Sequence, residues 1–287
     1  MVIQSPPGWG WDQIRLAVQE IGAAKPEEYW HEGAVQDAPV AVRRIGVRDL
    51  WDALARGLAD FEANRTDVIF LCVIYPVIGL VLARLASGQG LLPELFPLAS
   101  GFALVGPFAA IGLNEMSRRR EQGGDVRWVD AFGVLRAPSI GSIMLLGLML
   151  IALFLLWLVV AQIIYVVTLG PLPPVSVASF LGDVFTTSAG WTMIVVGIGV
   201  GFLFALLALA VSVVSFPLLL DRNVGIGTAV STSVRAVAAN PGVMALWGLI
   251  VACGLVLGSL PLFVGLVVVL PVLGHATWHL YRRVVPR

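Results

Sequence analysis

Residues 139–169 read SIGSIMLLGLMLIALFLLWLVVAQIIYVVTL, with no charged side chain. Crossing about 30 Å of hydrocarbon takes about 20 apolar residues in a helix, so this stretch is long enough to span a bilayer, and its excess length predicts tilt or a protruding end. Its flanks differ. On the N-terminal side stand Arg118, Arg119, Arg120, Arg127 and Arg136. On the C-terminal side, residues 170–190 hold no basic residue and one acid, Asp183. Lys and Arg resist export, so the stretch reads as a transmembrane helix leaving the cytoplasm.

Working outward, the same alternation repeats. Apolar spans are expected at about 67–86, 91–113, 191–220, 242–257 and 261–281, which makes six with 139–169. Basic residues recur in every second polar stretch: Arg43, Arg44, Arg48, Arg56 and Arg65; then the group before 139; then Arg222 and Arg235; then Arg282, Arg283 and Arg287. Of eighteen Lys and Arg, only Arg84 falls outside the cytoplasmic set. The fold class predicted is an all-α polytopic integral membrane helical bundle, six transmembrane helices arranged as three hairpins, with both termini cytoplasmic. A five-span alternative with one bent helix at Gly258-Ser259 places the final arginines on the wrong side.

Composition agrees. The 287 residues are 58% hydrophobic and 13% charged, against roughly half and a quarter in a soluble domain. A net charge of zero gives no ground for a nucleic-acid partner. Cys72 and Cys253 lie inside apolar spans and form no disulfide framework. Residues 1–46 read as a cytoplasmic tail without a signal peptide, with Trp9, Trp11, Tyr29 and Trp30 suited to a membrane surface. Residues 47–287 form the transmembrane domain.

Residues 47–62 put Val47, Leu50, Trp51, Leu54, Leu58 and Phe61 at helical spacing. Six charges bar this segment from the hydrocarbon core. It is expected to lie in the cytoplasmic interface, apolar face down, and 128–136 has the same character. Each hairpin begins with such a stretch and returns through a span containing a proline (Pro107, Pro217, Pro271), a plan consistent with a threefold repeat.

Several stretches together carry a resemblance: VRRIGVRDLWDALARGLADF, TDVIFLCVIYPVIGLVLARL, GPFAAIGLNEMSRRREQG, GWTMIVVGIGVGFLFAL, SVVSFPLLLDRNVG and VLPVLGHATWHLYRR. Over roughly residues 40–285 the chain resembles a bacterial family of predicted integral membrane proteins classed as a domain of unknown function. The resemblance implies an inner-membrane protein of several helices. It brings no activity, cofactor or catalytic residue. Some relatives carry labels linking them to cytochrome c oxidase, but a catalytic haem–copper subunit needs about six intramembrane histidines, and His31, His275 and His279 are three.

Charges near spans are functional candidates by default. Asn114, Glu115, Asp221, His275 and His279 fall at the cytoplasmic ends of the three returning spans. If the hairpins share an axis, these groups converge on a polar pocket; the rival reading is ordinary solvation at the interface. His275 and His279, four apart, share a helix face, as a metal pair or as part of an interfacial belt. Arg84 and Glu94 face each other across the first outer turn. Gly197 with Gly201, and Gly254 with Gly258, permit close helix contact, within one chain or between two. No cofactor or metal is expected. The function expected is a non-enzymatic scaffold or accessory/assembly factor for a membrane complex. The alternatives are a small transporter or channel, signalled by a cavity at the midplane, and an intramembrane enzyme, which requires the polar groups to converge. The partners expected are the lipid bilayer and other inner-membrane proteins, with the oligomeric state open.

Overall fold

The computed structural model describes residues 39–63, 93 and 95–287. The first span, its outer turn, the Arg84–Glu94 pair, His31, Cys72 and most of the N-terminal tail lie outside these residues. The described helices are α1 (Val47–Ala63), α2 (Leu95–Ala109), α3 (Ile111–Glu121), α4 (Ile140–Leu169), α5 (Val177–Thr186), α6 (Ser188–Ser212), α7 (Ser215–Asp221), α8 (Ile226–Ala239), α9 (Pro241–Ser259) and α10 (Leu266–Val284). A 3₁₀ segment, Trp128–Arg136, precedes α4.

The chain is an all-α membrane bundle. Four described stretches are long and apolar enough to cross: Phe96–Glu121, Ile140–Leu169, Ser188–Asp221 and Pro241–Ser259. α4 shows why water is not their solvent. Ile143, Leu146, Leu150 and Trp157 form its one buried stripe, while Leu145, Leu148, Leu155, Leu156, Val159 and Ile163 are exposed. A stripe facing protein and a wider apolar face turned outward is the pattern of a helix bordered by lipid.

Two spans are subdivided. Pro107 lies inside α2; it lacks the N–H that would continue the ladder, and a turn at Ala110 separates α2 from α3. α6 stops at Ser212 and α7 starts at Ser215, so the carbonyl of Val213 loses the donor that Pro217 cannot supply. The freed Val214 N–H donates instead to Ser233 Oγ of α8, at 3.2 Å. The short pieces α3 and α7 leave the lipid-bordered palisade and join α1, α8 and the last turns of α10 in a compact cap. Its apolar core includes Leu50, Ala53, Val214, Phe216, Leu218, Leu219, Trp278 and Tyr281, all buried. Pro271 is accommodated inside α10 without a break.

α1 is the amphipathic helix expected, but α10 covers its apolar face, not lipid alone. Leu50, Ala53, Gly57 and Phe61 are buried, while Val47, Trp51 and Leu58 remain exposed. A Cβ on Gly57 would come within 2.6 Å of Ala276 N and 2.7 Å of Val272 O, so only glycine admits this approach. α1 runs antiparallel to α10: Asp52 meets Arg283, and Gly57, further along, meets Val272.

Residues 39–46 carry no helix and form a strap across the cap. Arg43 N–H donates to Val284 O at 2.8 Å, Asn240 Nδ2 donates to Arg43 O at 3.1 Å, and Ile45 N–H donates to Asn240 Oδ1 at 2.8 Å. Arg235 Nη2 donates to Val40 O at 3.1 Å.

Candidate functional site

The close contact at Gly57 sets Asp60, one turn on, against α10 and α3. Its carboxylate accepts from Ser117 Oγ at 2.6 Å and lies 2.8 Å from His279 Nε2, and Arg120 Nη1 stands 3.1 Å from its other oxygen. Burial pushes the Asp60 carboxyl up, but the bonds from His279 and Ser117 and the nearby imidazoles outweigh it and hold the group below the ordinary carboxylate range. Ser117 Oγ is also 2.8 Å from His275 Nδ1. His275 Nε2 lies on the far side of the ring from Ser117. That atom and Asn114 Oδ1 are buried with no hydrogen-bond partner among the described residues.

Two residues before Ser117, Glu115 is fully buried. Arg118 Nε and Nη2 donate to its two oxygens at 2.7 and 3.0 Å, and Arg119 Nε donates at 2.7 Å. Arg119 then reaches Asp130 of the 3₁₀ segment at 2.5 Å. The guanidinium fits because residue 133 is glycine: a Cβ there would lie 2.2 Å from Arg119 Nη2.

A third network ties α3, α7 and α10. Tyr281 OH and Arg282 Nη1 donate to Asp221 Oδ2 at 2.6 and 2.8 Å. Trp278 Nε1 and Arg282 Nε both donate to Glu121 Oε2 at 2.9 Å, and Arg287 Nη2 donates to Oε1 at 2.5 Å. The Arg282 guanidinium lies 4.8 Å over the Trp278 ring, a cation–π contact. Burial disfavours the charged form of Arg282, and Asp221 and Glu121 more than restore it.

The five residues singled out in the sequence thus gather at the arginine end but not in one pocket. His275 and His279 are joined through Ser117 and Asp60, Glu115 belongs with Arg118 and Arg119, and Asp221 belongs with Tyr281 and Arg282. Nor does solvation at an interface describe them all, because Asn114, Glu115 and His275 are each at most 1% exposed. Asp60, Ser117, Glu121 and Asn240 complete the networks and were not singled out. Gly57, in the middle of the helix face that α1 buries, is the one sequence signal of the contact that buries Asp60.

The arrangement is poor in reactive chemistry. Ser117 donates to a carboxylate, whereas an activated serine needs a histidine between it and the acid. Among the described residues, no three His, Cys, Asp or Glu are placed to hold a metal. Two cavities between the apolar helices, about 50 and 220 Å³, are lined by apolar side chains and Ser100, with no ionisable group. Of the glycine pairs, Gly254 packs on Val269 and Leu273, and Gly258 on Gly265 and Leu266, so this pair serves the α9–α10 contact within one chain. Gly201 packs on Trp157, while Gly197 faces open space.

Apolar helices that expose their side chains outward, joined to a cap that collects the charges at one end, define a polytopic integral membrane protein. Residues 95–221, α2 to α7, match the family model described as a predicted integral membrane protein (DUF2189). That is the kind of family the sequence resembles, and the match bears on a shorter stretch than the resemblance does. No curated protein and no solved structure matches the chain.

Proposed function

We propose that this protein is a non-catalytic scaffold or accessory factor for a larger inner-membrane complex, with its cap and both termini in the cytoplasm. The observation that carries the reading is the engagement of the carboxylates of the cap. Asp60, Glu115, Glu121 and Asp221 each bind side chains that join one helix or segment to another, which is the work of a structure built to keep its shape. Among its exposed charges the cap also offers apolar side chains outward: Val47, Trp51 and Leu58 on α1, and Phe132 and Leu135 on the 3₁₀ segment. These side chains suit the flank of another membrane protein at the level of the headgroups. The cytoplasmic placement of this end rests on the arginines.

Affinity purification in mild detergent tests the proposal. A stable partner is expected to co-purify, and Trp51→Arg with Leu58→Arg is expected to release it while leaving the melting temperature unchanged. Recovery of the full chain alone, free of other proteins, counts against a scaffold.

A further inference from the structure

The hairpin of α9 and α10 is shorter than the helices beside it. α4 has 30 residues and α6 has 25, about 45 and 38 Å at 1.5 Å per residue. α9 and α10 have 19 each, about 28 Å. Their feet are level, because Asn240 before α9 and Val284 at the end of α10 both bind the backbone of Arg43. The C-terminal half of α10 is held in the cap: His275 by Ser117, His279 by Asp60, Trp278 by Glu121, Tyr281 by Asp221. These levels hold ionised groups, some of them partly exposed, such as Arg120 and Arg283, and belong outside the hydrocarbon. What remains of α10 is 266–274, about 13 Å, against a hydrocarbon core of about 30 Å.

The tip confirms that it is not shaped for water. Residues 260–274 read LPLFVGLVVVLPVLG, without a polar side chain, and Leu260, Leu262 and Val264 are 73%, 70% and 61% exposed. The outer connection between α4 and α6, by contrast, carries Ser176, Ser179, Asp183, Thr186 and Thr187. The turn also bonds most of its own backbone N–H groups. Leu260 N–H donates to Val256 O, Leu262 to Leu260 O, Phe263 to Ser259 O, Val264 to Pro261 O and Leu266 to Phe263 O. Ser259 Oγ donates back to Leu255 O at 2.7 Å. This closure holds Leu262 and Phe263 at φ of 51° and 65°, a left-handed conformation that ordinary residues avoid. A turn in water can leave amides to solvent; a turn in hydrocarbon must bond them internally.

We infer that α9 and α10 form a re-entrant hairpin, which enters from the arginine end and turns inside the bilayer with Leu260, Leu262 and Val264 against lipid acyl chains. The hairpin returns the chain to the side it came from, so the placement of the C-terminal arginines is the same as for two full crossings.

The test uses the full chain with Cys72→Ala and Cys253→Ala, reconstituted into phosphatidylcholine–phosphatidylglycerol vesicles. Single cysteines are placed at Leu262, at Val264, at Asp183 on the connection between α4 and α6, and at Gly124 at the arginine end. A membrane-impermeant maleimide is expected to label Asp183→Cys from one side and Gly124→Cys from the other, and to label Leu262→Cys and Val264→Cys from neither. With nitroxides at the same positions, the ratio of collisions with oxygen to collisions with a water-soluble nickel chelate is expected to be high at 262 and 264 and inverted at 183. Labelling of 262 or 264 together with 183 makes the hairpin a full crossing and overturns the inference. Labelling together with 124 takes the tip out of the membrane, and low access to both oxygen and chelate puts it against protein; either also overturns the inference. Two tip positions guard against one variant failing to fold.

Discussion

Replacing Glu115 by alanine probes what the cap is made of. The substitution removes one fully buried carboxylate and with it two bonds from Arg118 and one from Arg119. Taking one partner from a buried ion pair costs about 3–5 kcal/mol, because the other charge stays in a poorly solvated place. Arg119 keeps Asp130 and is 17% exposed, which moderates the loss, whereas Arg118 is only 3% exposed. About 3 kcal/mol is therefore expected, and at roughly 2–4 °C per kcal/mol for a chain of this size the melting temperature falls by roughly 6–12 °C. Thermal unfolding of the purified protein in detergent reads this directly. Replacing the pair by apolar residues of similar volume, Glu115→Leu with Arg118→Met, leaves less charge stranded and often restores stability, so the double variant is expected to melt above Glu115→Ala. If Glu115→Ala melts with the wild type, or the two changes simply add, the buried-network account is wrong and the group is solvated after all.

Three further outcomes are expected. Gly57→Val puts a side chain where backbone atoms of α10 lie under 3 Å away; overpacking of this kind costs about 1–3 kcal/mol or more, and a silent substitution in a melting assay would remove the close contact between α1 and α10. Asp60 is held below its ordinary range, so its stabilising contribution is present above about pH 3.9 and is lost as the pH falls through the lower folded value; the stability gap between wild type and Asp60→Asn should be widest near neutrality and close in acid, and a gap constant from pH 7 to pH 3 would contradict it. Reporter fusions at Gly124 and Gly182 should report opposite sides of the membrane, cytoplasmic for Gly124, and agreement between them would defeat the orientation read from the arginines.

The apolar helices were legible because their determinant is local. The sequence places a span at 139–169 and the helix is Ile140–Leu169; it places one at 242–257 and the helix is Pro241–Ser259. The subdivision of the second and fourth spans was not legible, since Pro107 and Pro217 are read equally well as harmless kinks, and only the packing of α3 and α7 into the cap makes them boundaries. The short helix α5 was read as plain connection. Amphipathicity announced α1, but a periodicity cannot say whether lipid or protein will cover the face it defines. The polar residues were found where a charge stood at the end of a span, as with Glu115 and Asp221. They were missed where the partner comes from far away in the chain: Asp60 reads as one of several charges on a surface helix, and only α10 gives it a histidine.

That separation has a consequence for how the protein is made. Asp60 and His279 stand 219 positions apart, and at about 5–20 residues per second of synthesis α1 exists for roughly 10–45 s before the helix that receives it. During that interval Leu50, Ala53 and Phe61 have no native surface to meet, and the strap at Arg43 has neither Asn240 nor Val284 to hold. An amphipathic helix in that position rests on the nearest apolar boundary, which is the membrane it was made beside. The surface-lying helix read from the sequence then describes α1 while it waits, and its antiparallel seat on α10 describes it once the last helix arrives. The cap closes last, so a chain shortened at its C-terminus would insert its palisade and leave Asp60, Glu121 and Asp221 without their partners on α10.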